Sequence, residues 1–407
     1  MHSARGDAEA MWTAALGAVE PGSLVGRHAG PLLDRVTAAE RVVVIGGGKA
    51  AAGLAAGIEA ALGPDALSRH DVAGLVSVPV GCGRRLQRIE VRETRPAGVN
   101  LPTPAVVDAT REMLAMIGRL GPRDLVLAAI TGGGSALIAA PRPGVSLAEK
   151  IARTRGLSEA GADIATLNAA RREMSVVKGG GLARACTAGR LVALVLSDVI
   201  GSDLSVIASG PCLEPGGPAG WTTPRGCRVE HLLLGDNATA VEAAAAVAWR
   251  LGYEVAIDAA TDGDPAEEVG RRLARRALER ADETARDGRP RAVIAGGEAV
   301  VRVPADHGVG GRNQQTVLAA LDAVRGLSGE WPEGLVIASI GTDGEDGPTD
   351  AAGGVIDAAV AAAIDTVGLT TALTRCDAHP LLTEAGGLVR TGPTGTNVAD
   401  VRIVLVR

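Results

Sequence analysis

Short apolar runs recur along the chain, at residues 42–45, 72–78, 125–130, 191–196, 255–257, 292–295, 335–340 and 401–406, with alanine-rich stretches of helical composition between them. The runs show almost no alternation of apolar and polar positions. A strand with one wet face alternates; a strand covered on both faces does not, because side chains on either side of the pleat then meet protein. The pattern therefore predicts an α/β fold of mostly parallel sheets, each with helices on both faces. The segment EPGGPAGWTTPRG at residues 214–226 is the strongest loop signal in the middle of the chain, and beyond it Asp236 opens a helical stretch ahead of a second series of strands. The boundary is accordingly expected near residue 235, with one α/β domain over residues 1–235 and another over residues 236–407.

With 407 residues there is room for a sizeable core in each domain. Lys and Arg number 41 against 47 Asp and Glu, a net charge of −6 that leaves no footprint for nucleic acid or an anionic membrane. The five cysteines, Cys82, Cys186, Cys212, Cys227 and Cys376, show no C-x-x-C or metal-finger spacing and read as reduced thiols of a cytoplasmic protein. The first thirty residues lack a basic segment followed by an apolar one, so no secretory signal is expected. The alanine-rich stretch 238–249 is too short to span a bilayer, and Arg250 follows it. Phe is absent and Tyr occurs once, so the cores, and any pocket for a base, are expected to be aliphatic.

The chemistry concentrates where apolar runs give way to glycine. Residues 42–45 lead into Gly46-Gly47-Gly48-Lys49, the strand-to-helix turn that can hold an anion on backbone N–H groups and the helix dipole. The spacing loosely satisfies the dinucleotide fingerprint. The strand that should end in a ribose-binding carboxylate, however, ends Val76-Ser77-Val78-Pro79-Val80. The P-loop pattern fails too, with Val43 where glycine is needed and Ala50 where Ser or Thr should follow the lysine. A phosphate-binding turn and a tight turn with a solvated Lys49 stand level on this motif alone. A second turn, Thr131-Gly132-Gly133-Gly134-Ser135, tips the balance, because two such turns from neighbouring parallel strands converge at one sheet edge.

Further on, the segment opening at Asn168 carries Arg171, Ser175 and Lys178 at helical spacing and runs into Gly179-Gly180-Gly181. They form either a solvated face or a ligand-facing one. Asp198, at the end of run 191–196, is a candidate Mg²⁺ ligand or general base, helix capping being the plainer role and one that suits Asp203 better. Gly310-Gly311-Arg312-Asn313-Gln314-Gln315 opens a helix with an arginine able to clamp phosphate or carboxylate. The sequence GTDGEDGPTD at 341–350 crowds acids at a strand end without EF-hand spacing, so Mg²⁺, a substrate hydroxyl or Arg312 is needed to neutralise them. TGPTGTN at 391–397 offers hydroxyls for a polar rim, or is only a loop.

Taken in order, GGGKA, TGGGSAL, N-x-x-R-x-x-x-S-x-x-KGG, SDV-x-G, ASGP, GGRNQ, GTDG-x-DGPTDAAG and TGPTGTN resemble the class II glycerate 2-kinases, whose C-terminal half is a MOFRL domain and which were formerly labelled hydroxypyruvate reductases. The resemblance runs from about residue 40 to the end. It implies a Rossmann-like N-terminal domain, a MOFRL-like C-terminal domain, and an active site in the cleft between them. It further implies ATP-dependent, Mg²⁺-assisted phosphorylation of the 2-hydroxyl of D-glycerate, with Lys49 and Arg312 as the leading catalytic residues. Phosphoryl transfer requires positioning and neutralisation of charge more than covalent chemistry. On that basis Gly47, Gly48, Gly132, Gly133, Gly134, Ser135, Lys178 and Gly179 would hold phosphates, and Lys49 and Arg312 would balance the γ-phosphoryl charge. Asp198 or Asp343 would carry Mg²⁺, one carboxylate would take the hydroxyl proton, and Asn168, Arg171, Asn313 and Thr396 would contact the acceptor. Both Lys49 and Arg312 sit in glycine-flanked turns, so truncating either is expected to cost rate rather than stability.

The chain departs from the family pattern on what would be the acceptor side. Val99 and Thr103 replace the histidine and aspartate of A-G-H-P-x-P-D, Thr166 a glutamate, Glu173 a histidine, Ser202 an acid and Gln315 the final glutamate of GGRNQE. If these line the pocket, selection for D-glycerate weakens and another 2-hydroxy acid or a polyol is preferred; if they lie outside it, D-glycerate stays the best substrate. A nicotinamide-dependent hydroxy-acid reductase and a catalytically silent sugar-acid sensor are the alternatives from other classes. A homodimer is compatible with everything above.

Overall fold

The computed structural model describes residues 3–162, 164–214 and 216–407. The chain divides into two compact units: Glu20–Asp236 with Gly395–Asn397, and Asn237–Thr394 with Val398–Arg407 and the residues up to Val19.

The first unit is built on a seven-stranded sheet. Its strands are β1 (Val42–Gly47), β2 (Ala73–Pro79), β3 (Ile89–Arg95), β4 (Leu125–Thr131), β5 (Arg190–Leu196), β6 (Trp221–Thr222) and β7 (Arg228–Gly235), in the order β3-β2-β1-β4-β5-β7-β6. All pair in parallel except the short β6, which is antiparallel to β7. Every residue of β1 and β4 is buried, the physical basis of their unbroken apolar runs. Helix Pro104–Ile117 brings Ala109, Met113 and Ile117 against Val43, Ile45, Leu75 and Val126. Its start is written in the sequence, since the Thr103 hydroxyl caps the Val106 amide and Pro104 takes the first turn. Helix Ala51–Arg69 packs on β1, β2 and β4. From β1 the chain proceeds outward to β2 and β3, then returns to place β4 on the other side of β1. The loops after β1 and β4 therefore part at a topological switch point, where open α/β sheets bind ligands.

The second unit carries β8 (Glu254–Pro265), β9 (Arg291–Val300), β10 (Val336–Gly341), β11 (Gly353–Ile356), β12 (Leu388–Val389) and β13 (Asp400–Val406), in the order β12-β11-β10-β13-β9-β8. The α/β class is as expected, but the expectation of a mostly parallel second sheet is corrected: only β8 and β9 pair in parallel. Helices cover both faces, Ala266–Asp287 with Arg312–Ser328 on one and Asn237–Arg250 with Ala4–Ala18 on the other. Strands so covered read as continuous apolar runs in either direction, so burial says nothing of strand sense. Connections decide it. The link from β10 to β11 is a loop without a crossover helix, and such a link returns the chain antiparallel.

The start of the chain is also corrected. Residues 1–235 were expected to form one domain, yet Ala4–Ala18 packs in the second unit. Its buried face, Ala8, Met11, Trp12 and Ala15, lies against Asn237–Arg250 and the sheet. Asp7, 2% exposed, accepts hydrogen bonds from Tyr253 Oη at 2.7 Å and Arg407 Nη1 at 2.6 Å. Among the described residues no helix is long and apolar enough to cross a membrane.

Candidate functional site

In the first unit the glycine turns after β1 and β4 meet as the parallel pairing requires. The first is closed on itself and on its neighbour. The Gly48 amide donates to Ser77 O at 3.2 Å, the Lys49 amide to Gly132 O at 2.9 Å and the Ala50 amide to Thr131 Oγ1 at 3.2 Å. These N–H groups are committed to the fold, so Gly47 and Gly48 do not form the open cradle that the sequence suggested. Gly48 is glycine because its φ is +142° and a Cβ would overlap Thr131 Oγ1. What the turn presents is the Lys49 side chain.

The second turn is more open. A Cβ on Gly133 (φ +75°) would lie 3.5 Å from Arg95 Nη2 and 3.8 Å from Lys49 Cγ, so two cations flank this glycine. Arg95, which sequence reasoning passed over, ends β3 and is 4% exposed. Its guanidinium donates to Pro96 O and Val99 O. The short helix Gly134–Leu137 starts here, and its first amides have no partner within the helix. On the β5 side, Asp198 lies so close that a Cβ on Gly132 would overlap its carboxylate, and Asn397 Nδ2 would be 3.0 Å from the same point. Asp198 and the segment carrying Thr396 and Asn397 thus border the second turn. Asp203 takes the turn-capping role, accepting from the Ser205 amide at 2.8 Å.

Beside these turns lies a buried polar network. Ser135 Oγ and Ser209 Oγ are 2.8 Å apart, and Asn168 Oδ1 accepts from Ser209 Oγ at 2.8 Å and from Arg171 Nη1 at 3.1 Å. Ala208 and Ser209 hold φ of +51° and +62°, left-handed values that cost non-glycine residues about 1–2 kcal/mol each. The strain has a local purpose: it turns the Ala208 carbonyl to accept from Lys178 Nζ at 2.7 Å and sets Ser209 between Ser135 and Asn168. The Gly179 amide donates to Ser209 O at 3.1 Å. Lys150, which the sequence did not single out, is 4% exposed and comes to this cluster from helix Leu147–Glu159, its ammonium 3.5 Å from Arg171 O. Burial and then the Arg171 charge push the Lys150 ammonium down to about 8. Burial, followed by Lys150 and Arg171, drives Lys178 well below its ordinary range.

In the second unit the GGRNQ and GTDGEDGPTD motifs fit together. Arg312 opens helix Arg312–Ser328, its Nε and Nη2 forking onto Asp400 at 2.9 and 2.8 Å, its Nη1 reaching Glu298 at 2.8 Å. Asp346 caps the same helix from outside, accepting from the Asn313 amide at 3.0 Å, the Gln314 amide at 2.9 Å and Gln314 Nε2 at 3.0 Å. Asn313 bridges Asp346, Asp400 and Ser339. Arg312 therefore neutralises Asp400 and Glu298, while Asp346 draws on the amide donors of a helix N-terminus. Asp343 Oδ1 accepts from the Glu345 amide at 3.1 Å, within the loop.

No group of three or more His, Cys, Asp or Glu is arranged around a metal position among the described residues. Mg²⁺ asks for less, one or two carboxylates with phosphate oxygens and water. Asp198, at the end of a buried strand against the open turn, fits that demand.

The departures from the family pattern mostly have structural partners. The Thr103 hydroxyl caps a helix, Glu173 is exposed and paired with Arg153 at 3.4 Å, and Ser202 Oγ donates to Asp236 at 3.0 Å. Gln315 Nε2 donates to Glu267 and to Leu373 O at 2.9 Å each. Val99 is 43% exposed. Their neighbours Asn100, Leu101 and Pro102 line a small pocket with Ser135, Lys150 and Arg171.

Known proteins match along the whole chain. The domain of unknown function DUF4147 matches residues 7–219 and the MOFRL family residues 291–400. D-glycerate 2-kinase of Thermotoga maritima is 36% identical over 339 aligned residues, 77% of this chain and 80% of that one. An Agrobacterium vitis protein provisionally named a hydroxypyruvate reductase is also 36% identical, over 90% of this chain and 87% of its own. The crystal structure of glycerate kinase from Thermotoga maritima matches with a TM-score of 0.82, at 33% identity and covering 98% of each chain. With one family model over half its length, a second over its C-terminal part and a solved kinase matching throughout, the chain belongs to the glycerate kinase family, whose members transfer phosphoryl groups to an alcohol.

Proposed function

We propose that this protein is an ATP-dependent kinase that phosphorylates the 2-hydroxyl of D-glycerate in the presence of Mg²⁺. The observation that carries the reading is the turn after β4, where Gly133 is flanked by Lys49 and Arg95 and bordered by Asp198 at the switch point of a parallel sheet. Cations on one side and a carboxylate on the other are what a nucleotide's terminal phosphates and their metal require. Lys49 balances charge on the transferred group, and Asp198 serves as ligand for Mg²⁺, which when bound neutralises phosphate oxygens. Arg312 enters as an organising residue, since Asp400 and Glu298 already occupy its fork. The general base is one of the carboxylates, and Asn168, Arg171, Asn313 and Thr396 are proposed for the acceptor. The partners of Thr103, Glu173 and Ser202 favour D-glycerate over a substrate of altered class, because those side chains serve the fold.

ADP release coupled to an indicator, measured with D-glycerate, lactate, erythronate and tartronate, tests this beside an NADH-oxidation assay with hydroxypyruvate. ADP formation that depends on D-glycerate, with the highest kcat/KM of the panel, is expected. NADH consumption without ADP from any acceptor would overturn the kinase reading.

A further inference from the structure

Burying a cation is costly unless an anion or a full set of acceptors compensates, and burying neighbouring cations compounds the cost. Lys150 and Lys178 are 4% and 3% exposed, Arg171 is close enough to act on both, and among the described residues none of the three forms an ion pair with a carboxylate. Lys178 is held by the Ala208 carbonyl. Among the described residues the Lys150 ammonium has only the long 3.5 Å approach to Arg171 O, which leaves it donors to spare. It faces the small pocket lined by Asn100, Leu101, Pro102, Ser135 and Arg171. Lys150 and Arg171, brought from helices Leu147–Glu159 and Ile164–Glu173 to line one pocket with no carboxylate of their own, are a site built for negative charge from outside.

We propose that Lys150 and Arg171 bind the carboxylate of the acceptor in this pocket. The inference rests on the kinase reading and names the residues that anchor its substrate. The lining decides between anions. Leu101 and Pro102 supply an apolar wall for the carbon chain of a small organic acid, and Ser135 and Asn100 supply polar atoms for its hydroxyls; a bare phosphate would use neither wall. Ser135 follows Gly133 and Gly134 in the chain, so an acid held here stands next to the turn assigned to the phosphates. Burial first, and then the neighbouring cations, lowers the proton affinities of Lys150 and Lys178, as expected where no counter-ion offsets the loss of water.

The test is Lys150→Met, which keeps the length of the stem and removes the charge, with Lys150→Arg as the conservative partner. In Lys150→Met the KM for D-glycerate is expected to rise by about 10²-fold, in line with truncating one partner of a buried charge pair. The KM for ATP and the ligand-free melting temperature should hold or improve, and Lys150→Arg should recover part of the loss. An unchanged acceptor KM, or a rise confined to ATP, overturns the proposal. Titration calorimetry without nucleotide keeps the question separate from turnover, using D-glycerate, its methyl ester and inorganic phosphate. Binding of the acid but not of the ester, lost in Lys150→Met, supports the site even if the wild type releases no ADP, in which case the kinase reading alone fails. Equal binding of the ester, or phosphate binding as tightly as the acid, overturns the site.

Discussion

Replacing Arg312 by alanine should cost stability before it costs rate, contrary to what its glycine-flanked position in the sequence suggests. Asp400 is fully buried and receives Arg312 Nε and Nη2 at 2.9 and 2.8 Å. Truncation leaves a carboxylate inside the protein, and removing one partner of a buried pair costs about 3–5 kcal/mol. Asn313 Nδ2 at 3.1 Å and Arg402 Nη2 at 3.7 Å remain beside Asp400, which places the cost at the lower end. At about 3 kcal/mol, a unit of this size should melt about 6–12 °C lower. Differential scanning calorimetry of Arg312→Ala, Arg312→Lys and the double variant Arg312→Ala/Asp400→Asn measures it. The double variant should regain part of the loss, because the orphaned charge is gone. If Arg312→Ala melts within about 1 °C of wild type while kcat collapses, Arg312 is a free charge for the phosphoryl group and the structural argument is refuted.

Lys49→Ala should behave oppositely, lowering kcat by about 10²–10³ with a far smaller loss of melting temperature than Arg312→Ala, since the amide that ties the two turns together is kept; a large drop in melting temperature would contradict this. Gly48→Ala should fail to give folded protein, because the new methyl overlaps Thr131 Oγ1, whereas Gly133→Ala has space and should cost only about 1–2 kcal/mol for its left-handed φ, both read from soluble yield and melting. Asp346 is pushed up to about 6 by burial first, its amide donors opposing and the Asp400 charge adding. Its unfolded value is about 3.9, so between these the folded state holds a proton the unfolded chain has released. The stability contributed by this group is therefore complete below about pH 4 and declines as pH rises through 6. The difference in urea midpoint between wild type and Asp346→Asn, followed from acid to neutral pH, should shrink accordingly; parallel profiles would refute it.

The legible part of the structure was the part fixed by local pattern. Runs at 42–45, 125–130 and 191–196 lie inside β1, β4 and β5, and two glycine turns on neighbouring parallel strands were enough to mark the sheet edge. Strand direction in the second unit was not legible, because β10 and β13 are buried on both faces whichever way they run. Nor was Lys150: LAEKIARTR reads as an ordinary charged helix, and only the packing of Leu147–Glu159 on Ile164–Glu173 turns its ammonium inward. Arg312 was singled out as a clamp for phosphate or carboxylate, and the carboxylate it holds is that of Asp400, 88 residues away, a pairing that no local spacing encodes. The partners of Thr103 and Glu173 were not legible either, because a motif comparison gives positions without the directions in which side chains point.

That Ala4–Ala18 belongs with the second unit sets an order on biosynthesis. This helix leaves the ribosome ahead of both sheets, yet Tyr253, which donates to Asp7, lies 246 residues further on, and Arg407 lies 400 further. At typical elongation rates the helix waits about 10–50 s for Tyr253 alone. Meanwhile the first unit, almost continuous from Glu20 to Asp236, can complete its sheet. The apolar stripe of Ala8, Met11, Trp12 and Ala15 stays uncovered throughout, a natural target for a holding chaperone. A tag placed just ahead of this helix would likewise report on the maturation of the second unit, not of the one that follows the helix in sequence.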